Sequence, residues 1–218
     1  MLYLFLGNRE GEEFIHQASH FLSAQRREKM ERLHALNDRV NCCAVFLLLR
    51  IALWQEYGIS DQPLFGFGEK DKPFLIDLPD IRFNFSHCKN GAACIVSGQN
   101  TAVDIMELRK PHAAVYRRCC SPGECAALEQ STEPDRDFIK LWTRKECYAK
   151  LLGKGLSLDF RTLTDSLPEM RRIHTIDEPE RVISYYSEKE EYINRFDASS
   201  LLQTAETIGE VIYRHKRN

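Results

Sequence analysis

Long apolar runs are missing from this 218-residue chain. No stretch approaches the ~20 apolar residues that a membrane-spanning helix needs. The N-terminal letters MLYLFLG are too few and too lightly charged for a secretory signal. Low-complexity segments and long linkers are absent as well. We therefore expect a cytoplasmic protein that does not bind membranes.

A strong charge of one sign is also lacking. Thirty Lys and Arg residues face 32 Asp and Glu residues, so the net charge is −2. Such a balance gives no overall field that attracts nucleic acid or an anionic membrane, so a polyanionic ligand must bind at a local cluster. One basic cluster lies on a predicted helix that follows Ser23, but Glu28 and Glu31 dilute its charge. We expect no nucleic-acid partner.

Standard cysteine motifs are absent although the chain has eight cysteines. It contains no C-x-x-C, and two of the possible pairs are sequence neighbours, which rarely bridge each other. A zinc site can be drawn from Cys119, Cys120, Cys125 and His112, but this spacing matches no common ligand pattern. The favoured interpretation is eight reduced thiols.

The composition, with 43% hydrophobic and 28% charged residues, is that of a globular protein of one large or two small domains. Periodicity predicts strands at 2–6, 81–85, 92–96 and 102–106, with the second and third joined by a hairpin turn at Asn90-Gly91. Helices are predicted at 38–57, after a capping box at Ser121–Glu124, and at 138–156. Residues 70–73 should form a charged turn, and 181–187 with 191–196 a C-terminal hairpin.

The helix at 138–156 carries the strongest chemical signal. Trp142, Glu146 and Lys150 follow at four-residue steps and so share one face, and Gly153 and Gly155 end the helix. An exposed Glu–Lys pair of this kind would contribute only ~0.2–0.5 kcal/mol. The alternative is a metal ligand beside a phosphate-binding cation.

Two strand motifs add to this signal. Asp104 lies inside the otherwise apolar strand VDIM, and a buried carboxylate needs a partner, a hydrogen-bond network or a metal. The strand FNFSH ends in Ser86 and His87, where His87 is either a hydrogen-bonded strand-end histidine or a phosphate donor. Each motif alone is weak.

Taken together, the motifs resemble those of the Sfp-type 4′-phosphopantetheinyl transferases. The family pattern has a Lys-Pro turn, F-N-x-S-H, a (G/A)-(I/V)-D-(I/V)-x strand and W-x-x-K-E-x-x-x-K-x-x-G-x-G-L. This chain matches it with Lys72-Pro73, 83–87, 102–106 and 142–156. The resemblance covers roughly residues 20–160, and the last motif is the specific part.

The resemblance implies an α/β (α+β) fold with pseudo-two-fold symmetry and an active site in the cleft between two similar halves. We place the halves at 1–100, with the coenzyme A contacts, and 101–218, with the metal-binding and catalytic motifs. The implied reaction moves the phosphopantetheine arm of coenzyme A to a serine of an acyl or peptidyl carrier protein and releases 3′,5′-ADP. It requires Mg²⁺, with Mn²⁺ as an alternative ion. Two halves in one chain also imply a monomer.

The same resemblance assigns site residues. Asp104 and Glu146 are the expected metal ligands, since Mg²⁺ takes carboxylates together with substrate phosphates and water. Lys150 and His87 are expected to contact phosphate, and Glu146 to accept the serine proton. The remaining coenzyme A contacts are predicted at Arg26, Lys29, Lys72, Pro73 and Ser86.

Two positions depart from the family pattern. Many relatives have D-x-E on the metal strand, whereas this chain has Met106, a thioether and a poor Mg²⁺ ligand. Glu107 points to the opposite face of a strand, so we expect water in place of the second strand carboxylate. Asn41 stands where many members have a basic residue, which removes one expected phosphate contact.

Other functions rank lower. A non-catalytic coenzyme A or nucleotide-binding module needs the basic residues but not Asp104 and Glu146 together. A cysteine hydrolase built on Cys88 or Cys147 with His87 is disfavoured, since neighbours on a strand point apart. The carrier protein and its pathway are left open by the sequence.

Overall fold

A computed structural model describes the backbone of residues 1–7, 11–68 and 72–215, with all their side chains except those of 113–114, 156 and 211–215. Its strands are β1 Leu2–Phe5, β2 Phe65–Phe67, β3 Pro73–Leu75, β4 Arg82–Cys88, β5 Gly91–Ser97, β6 Ala102–Glu107, β7 Ile173–Asp177, β8 Arg181–Tyr186 and β9 Ile193–Phe196. Its α-helices are α1 Gly11–Ser19, α2 Ala24–Glu31, α3 Leu36–Tyr57, α4 Ala113–Cys119, α5 Pro122–Glu129, α6 Pro134–Leu152 and α7 Ala198–His215. The mixed α/β fold predicted from the sequence is confirmed.

Two sheets form the middle of the molecule. One has the strand order β4-β5-β1-β9 and the other β6-β8-β7. Leu4 and Ile95 of the first sheet belong to the same buried cluster as Ile105 and Ile183 of the second. The sheets therefore pack on each other through apolar faces, as expected for strands whose side chains alternate between two faces.

Helices cover the outer face of each sheet. Tyr3 and Phe83 of the first sheet share a core with Phe46 of α3. Val182 of the second sheet shares a core with Phe138 of α6. The order of layers is thus helix, sheet, sheet, helix, and α3 and α6 hold equivalent places on the two sides.

Local signals account for many element ends. Ser23 accepts a hydrogen bond from the Arg26 amide and caps α2, and the Ser121–Glu124 capping box opens α5. Gly153 ends α6 with φ 66°, in the left-handed region where glycine carries no Cβ penalty.

Strands β4 and β6 meet where the two sheets come together. The Val103 amide donates to Asn84 Oδ1 over 3.0 Å, and the Ile105 amide donates to Ser86 Oγ over 3.2 Å. Phe83 lies on the other face of β4, in the first core. The FNFSH motif thus joins the two sheets through its polar side chains.

Two predictions of local pairing need correction. The β4–β5 hairpin exists, but Cys88 pairs with Gly91, so its loop is Lys89-Asn90 and Gly91 lies in the strand. The predicted hairpin of 181–187 with 191–196 is wrong, because β8 pairs with β6 and β7 whereas β9 runs parallel to β1. Alternation identified both strands but does not encode their partners.

The chain's last two elements return to the first sheet. Strand β9 pairs with β1, and Leu201 and Ala205 of α7 join the core around α3. The division into 1–100 and 101–218 stays a prediction. Residues 70–71 of the predicted charged turn lie outside the described residues.

Within the described ranges, the helices are all too short or too polar to serve as a membrane span.

Candidate active site

Helix α6 carries most of the candidate active site, and its apolar face fixes its position. Phe138, Ile139 and Cys147 are buried. Trp142 stacks between Phe138 and Phe160, with ring centroids 6.3 and 5.2 Å away. The tryptophan of the motif therefore packs against the core shared by α6 and the second sheet.

Lys145 anchors the same helix from a fully buried position. Its ammonium donates to Glu124 Oε2 over 2.6 Å and to the carbonyls of Cys119 and Phe160 over 2.8 Å each. Three donors thus meet three acceptors, which is the arrangement a buried cation needs. Lys145 is the fixed lysine of the W-x-x-K-E motif, and no role was predicted for it from the sequence.

Asp104, Ser86 and Lys150 form a compact cluster where β4, β6 and α6 meet. Lys150 Nζ donates to Asp104 Oδ1 over 2.6 Å, to Ser86 Oγ over 2.8 Å and to the Val103 carbonyl over 3.1 Å. Ser86 in turn donates to Asp104 Oδ1 over 2.8 Å. The buried Asp104 carboxylate is therefore paired with a cation and held by a hydroxyl, as a buried carboxylate requires.

Glu146 lies in the electrostatic field of this cluster. Its partial burial and then the charge of Asp104 raise the pKa of Glu146 to about 7, while Lys150 acts in the opposite direction. The carboxylates of Asp104 and Glu146, which are far apart in sequence, thus repel each other. Such a pair is stabilised by a cation.

Met106 and Glu107 lie on opposite faces of β6. Met106 packs with the α6 core, on the face of Asp104 and Ala102. Glu107 instead accepts a hydrogen bond from the Lys89 amide over 2.8 Å. A carboxylate at 106 would point toward Asp104, and the one at 107 does not.

The donor set suits a hard divalent cation. Asp104 and Glu146 supply carboxylate oxygens, and Mg²⁺ in phosphate-transferring sites takes one or two carboxylates with substrate oxygens and water. The described part of the chain has no group of three or more Asp, Glu, His or Cys side chains placed to hold a metal ion. Any ion held here would therefore depend on oxygens from outside the protein as well.

A pocket of about 900 Å³ opens beside this cluster. Arg26, Lys29, Pro73 and His87, four of the predicted coenzyme A contacts, line it. Aromatic side chains that the sequence analysis did not select line it as well, namely Phe65, Phe67 and Phe85. Cationic and aromatic walls together suit a phosphorylated nucleotide.

His87 is oriented by Asn41. The Asn41 amide nitrogen lies 3.4 Å from His87 Nδ1 and donates to the Cys88 carbonyl over 3.0 Å. An amide nitrogen can only donate, so this contact favours the tautomer in which Nδ1 accepts and Nε2 carries the proton. Desolvation by neighbouring protein atoms, followed by the Lys150 charge, lowers the pKa of His87. The ring is thus a neutral donor at the pocket wall.

Arg26 is held within the protein rather than projecting freely. Its guanidinium donates twice to the Cys42 carbonyl, over 2.9 and 2.8 Å, and lies 5.8 Å from the centre of the Phe46 ring. Lys29, one helical turn away, is exposed at the pocket mouth.

Lys72 and Ser86 are placed differently from the other predicted coenzyme A contacts. Lys72 Nζ donates to the carbonyls of Lys150 and Leu151 at the end of α6, over 2.9 and 3.5 Å. Ser86 is buried against Asp104 and Lys150. Both residues contact the catalytic candidates in this structure.

We expect Ser86→Ala to lower the free energy of unfolding by about 1–3 kcal/mol, because it leaves the buried Ile105 amide and Asp104 oxygen short of a partner. Urea unfolding followed by circular dichroism measures this change. Ser199→Ala, at an exposed position of α7, is the control and should change stability by less than about 0.5 kcal/mol. Equal losses in the two variants would contradict the assigned hydrogen-bond network.

The fold and the site together define an α/β protein with an acidic pair, a lysine and a nucleotide-sized pocket at the junction of two sheets. The family model described as the 4′-phosphopantetheinyl transferase superfamily matches residues 101–200. A 4′-phosphopantetheinyl transferase of Bacillus subtilis is 34% identical over 141 residues, 63% of this chain and 62% of that protein. The 4′-phosphopantetheinyl transferase Sfp of Bacillus subtilis (strain 168) is 30% identical over 156 residues, 70% of this chain and 68% of that protein.

A third relative, the 4′-phosphopantetheinyl transferase psf-1 of Bacillus pumilus, is 27% identical over 167 residues, 75% of this chain and 72% of that protein. The chain thus spans between 62% and 72% of the length of these relatives. It belongs to the 4′-phosphopantetheinyl transferase superfamily, among the Sfp-type members. The prediction of an enzyme of this kind is confirmed at the level of the family.

Proposed function

We propose that this protein transfers the 4′-phosphopantetheine group of coenzyme A to a serine of an acyl or peptidyl carrier protein, in a Mg²⁺-dependent reaction that releases 3′,5′-ADP. The observation that carries the proposal is the cluster of Asp104, Ser86 and Lys150 with Glu146 in its field. Family membership supports the same conclusion. The cluster lies beside the pocket whose walls suit the nucleotide half of coenzyme A.

Bond changes in the proposed reaction are simple. The serine Oγ attacks the phosphorus that bears the pantetheine arm and forms a new O–P bond. The bond between that phosphorus and the oxygen bridging the two phosphates breaks, and 3′,5′-ADP leaves. Catalysis of such a transfer relies on positioning and on stabilisation of charge. Asp104 and Glu146 would hold Mg²⁺, which supplies neutralisation of the pyrophosphate charge.

The protein's own residues then have separate tasks. Glu146 accepts the serine proton, directly or through a water. Lys150 donates to Asp104, Ser86 and the Val103 carbonyl, and its ammonium would exchange one of these three hydrogen bonds for one to a phosphate oxygen. His87 donates a hydrogen bond from its Nε2–H group to a coenzyme phosphate. Arg26, Lys29 and Pro73 form the wall for the adenine and 3′-phosphate, and Ser86 contributes by fixing Asp104 and Lys150.

Intact-mass spectrometry tests the proposal. An apo carrier protein is incubated with this protein, coenzyme A and Mg²⁺, and the proposal predicts a gain of one phosphopantetheine on one serine. A carrier with that serine replaced by alanine is the control and should gain nothing. No gain across acyl and peptidyl carriers of several pathways would count decisively against the proposal.

Met106 gives a prediction about the metal. Met106→Glu should strengthen Mg²⁺ activation about tenfold, because it adds a carboxylate on the Asp104 face of β6. The Mg²⁺ concentration at half-maximal transfer measures the change. Glu107→Ala, on the opposite face, is the control and should leave that concentration within about twofold. A large loss of activation in Glu107→Ala would overturn the assignment of the two faces.

A further inference from the structure

Lys72 lies just before β3 and reaches across to the end of α6. Its ammonium donates to the carbonyl oxygens of Lys150 and Leu151, over 2.9 and 3.5 Å. The Lys150 carbonyl also accepts a hydrogen bond from the Gly153 amide over 3.1 Å, and a cation at the end of a helix interacts favourably with the helix dipole. The contact therefore stabilises the final turn of α6 and links it to the residue that precedes β3.

The residue held in this way is itself a candidate catalytic residue. Lys150 is fixed at two points: its carbonyl accepts from Lys72, and its ammonium donates to Asp104 Oδ1 over 2.6 Å. The carbonyl and the ammonium of Lys150 are connected by its own side chain, so the position of one affects the position of the other. A shift of the last turn of α6 would thus move the ammonium away from the Asp104 carboxylate.

Lys72 also lines a different cavity from Arg26, Lys29 and His87, while Pro73 lines both. Lys72 lines a smaller cavity of about 410 Å³ together with Gly153, whereas Lys29 and His87 line the larger pocket. Gly153 caps α6, and a Cβ built on it would come within 3.6 Å of Lys72 Cδ. The stem of Lys72 thus packs at the helix cap while its ammonium binds the helix end.

We propose that Lys72 is a positioning residue that holds the end of α6 so that Lys150 stays in register with Asp104. The inference rests on the proposed transferase function and changes the role of Lys72 from the coenzyme A contact predicted by the sequence. A long, flexible lysine suits this task, because it can span from a loop of one half to a helix of the other.

Steady-state kinetics with coenzyme A and with 3′-dephospho-coenzyme A separate the two roles. For Lys72→Met we expect kcat to fall about 10- to 100-fold with both substrates, since misplacing a catalytic group by about 1 Å has effects of this size. The KM for coenzyme A should stay within about twofold of wild type. The preference for coenzyme A over the dephospho form, as a ratio of kcat/KM values, should not change.

Three matched variants complete the set. Lys72→Arg should recover most of kcat, because a guanidinium can donate to the same carbonyls. Lys189→Met, in the loop between β8 and β9, should behave as wild type. Lys29→Met, at the larger pocket, should raise the KM for coenzyme A and reduce the preference for the 3′-phosphate. Assays are run below the melting temperature of each variant, and Lys72→Gln replaces Lys72→Met if the latter does not fold.

A double-mutant cycle tests whether Lys72 acts through Lys150. In a Lys150→Met background, the Lys72→Met change should lower kcat by less than about twofold, because residues that act as one unit are not additive. A full additional 10- to 100-fold loss in that background would overturn the inference. So would a Lys72→Met enzyme with unchanged kcat, or one that loses only its preference for coenzyme A.

The activity of the wild-type enzyme separates a failure of the proposed transferase function from a failure of the positioning role of Lys72. Transfer by wild type with unchanged kcat in Lys72→Met rejects the positioning role alone. Absence of transfer by wild type rejects the proposed function, and the positioning role with it.

Discussion

Glu146→Gln should abolish nearly all transfer while leaving coenzyme A bound. We expect kcat to fall about 10²- to 10⁴-fold, the range that one general acid or base contributes, because glutamine keeps the shape of the side chain but cannot accept the serine proton. The dissociation constant for coenzyme A should stay within about threefold, since Glu146 is absent from the walls of the larger pocket. Mass spectrometry of the carrier and calorimetric titration of coenzyme A measure the two quantities.

Glu129→Gln, exposed at the end of α5, is the matched control for this substitution and should transfer at the wild-type rate. The pair of variants also separates the enzyme from a non-catalytic coenzyme A module. Transfer at a normal rate by Glu146→Gln would remove Glu146 from the chemistry. Loss of coenzyme A binding together with transfer would place Glu146 in the binding pocket instead.

Lys145→Met should be among the most destabilising substitutions in the chain, at about 3–5 kcal/mol. The lysine ammonium is fully buried and pairs with Glu124 and with the carbonyls of Cys119 and Phe160. Removing it leaves all three acceptors short of a donor. Urea unfolding should show a lower midpoint with an unchanged slope, which marks a loss of stability rather than a change in the surface exposed.

Lys140→Met, on the same helix, is the control for this prediction. Lys140 pairs with Asp137 and Asp177 near the surface, where ion pairs contribute about 0–1 kcal/mol. If the two variants lose similar stability, the buried ammonium is not the anchor of α6 that its contacts indicate.

Local sequence signals predicted the helices and strands themselves better than they predicted which strands pair with each other. The apolar run of α3, the capping box of α5 and the glycine that ends α6 are each encoded within a few residues. The pairing of β9 with β1 joins residues 191 positions apart, such as Leu2 and Ile193, and alternation within β9 does not indicate it. Its short length and half-buried pattern fit a hairpin as well as a parallel edge strand.

The residues of the candidate site were predictable where they lie on a regular helix or strand, because the period of that element sets the direction of the side chain. Asp104, Glu146 and Lys150 each lie on a regular element whose face is set by its period, so their convergence follows once the strand and helix pack. Lys72 precedes a three-residue strand, and the direction of its long side chain depends on the position of α6. Its contact with the helix end is a tertiary property that spacing could not indicate.

Binding of one divalent ion between Asp104 and Glu146 is the claim on which the proposed chemistry depends. Electron paramagnetic resonance of free Mn²⁺, titrated with protein in the presence of coenzyme A, tests it most directly. We expect one bound ion per chain in the wild type and in Glu107→Gln, with at least tenfold weaker binding in both Asp104→Asn and Glu146→Gln. Undiminished Mn²⁺ binding in those two variants, or its loss in Glu107→Gln, would contradict the account.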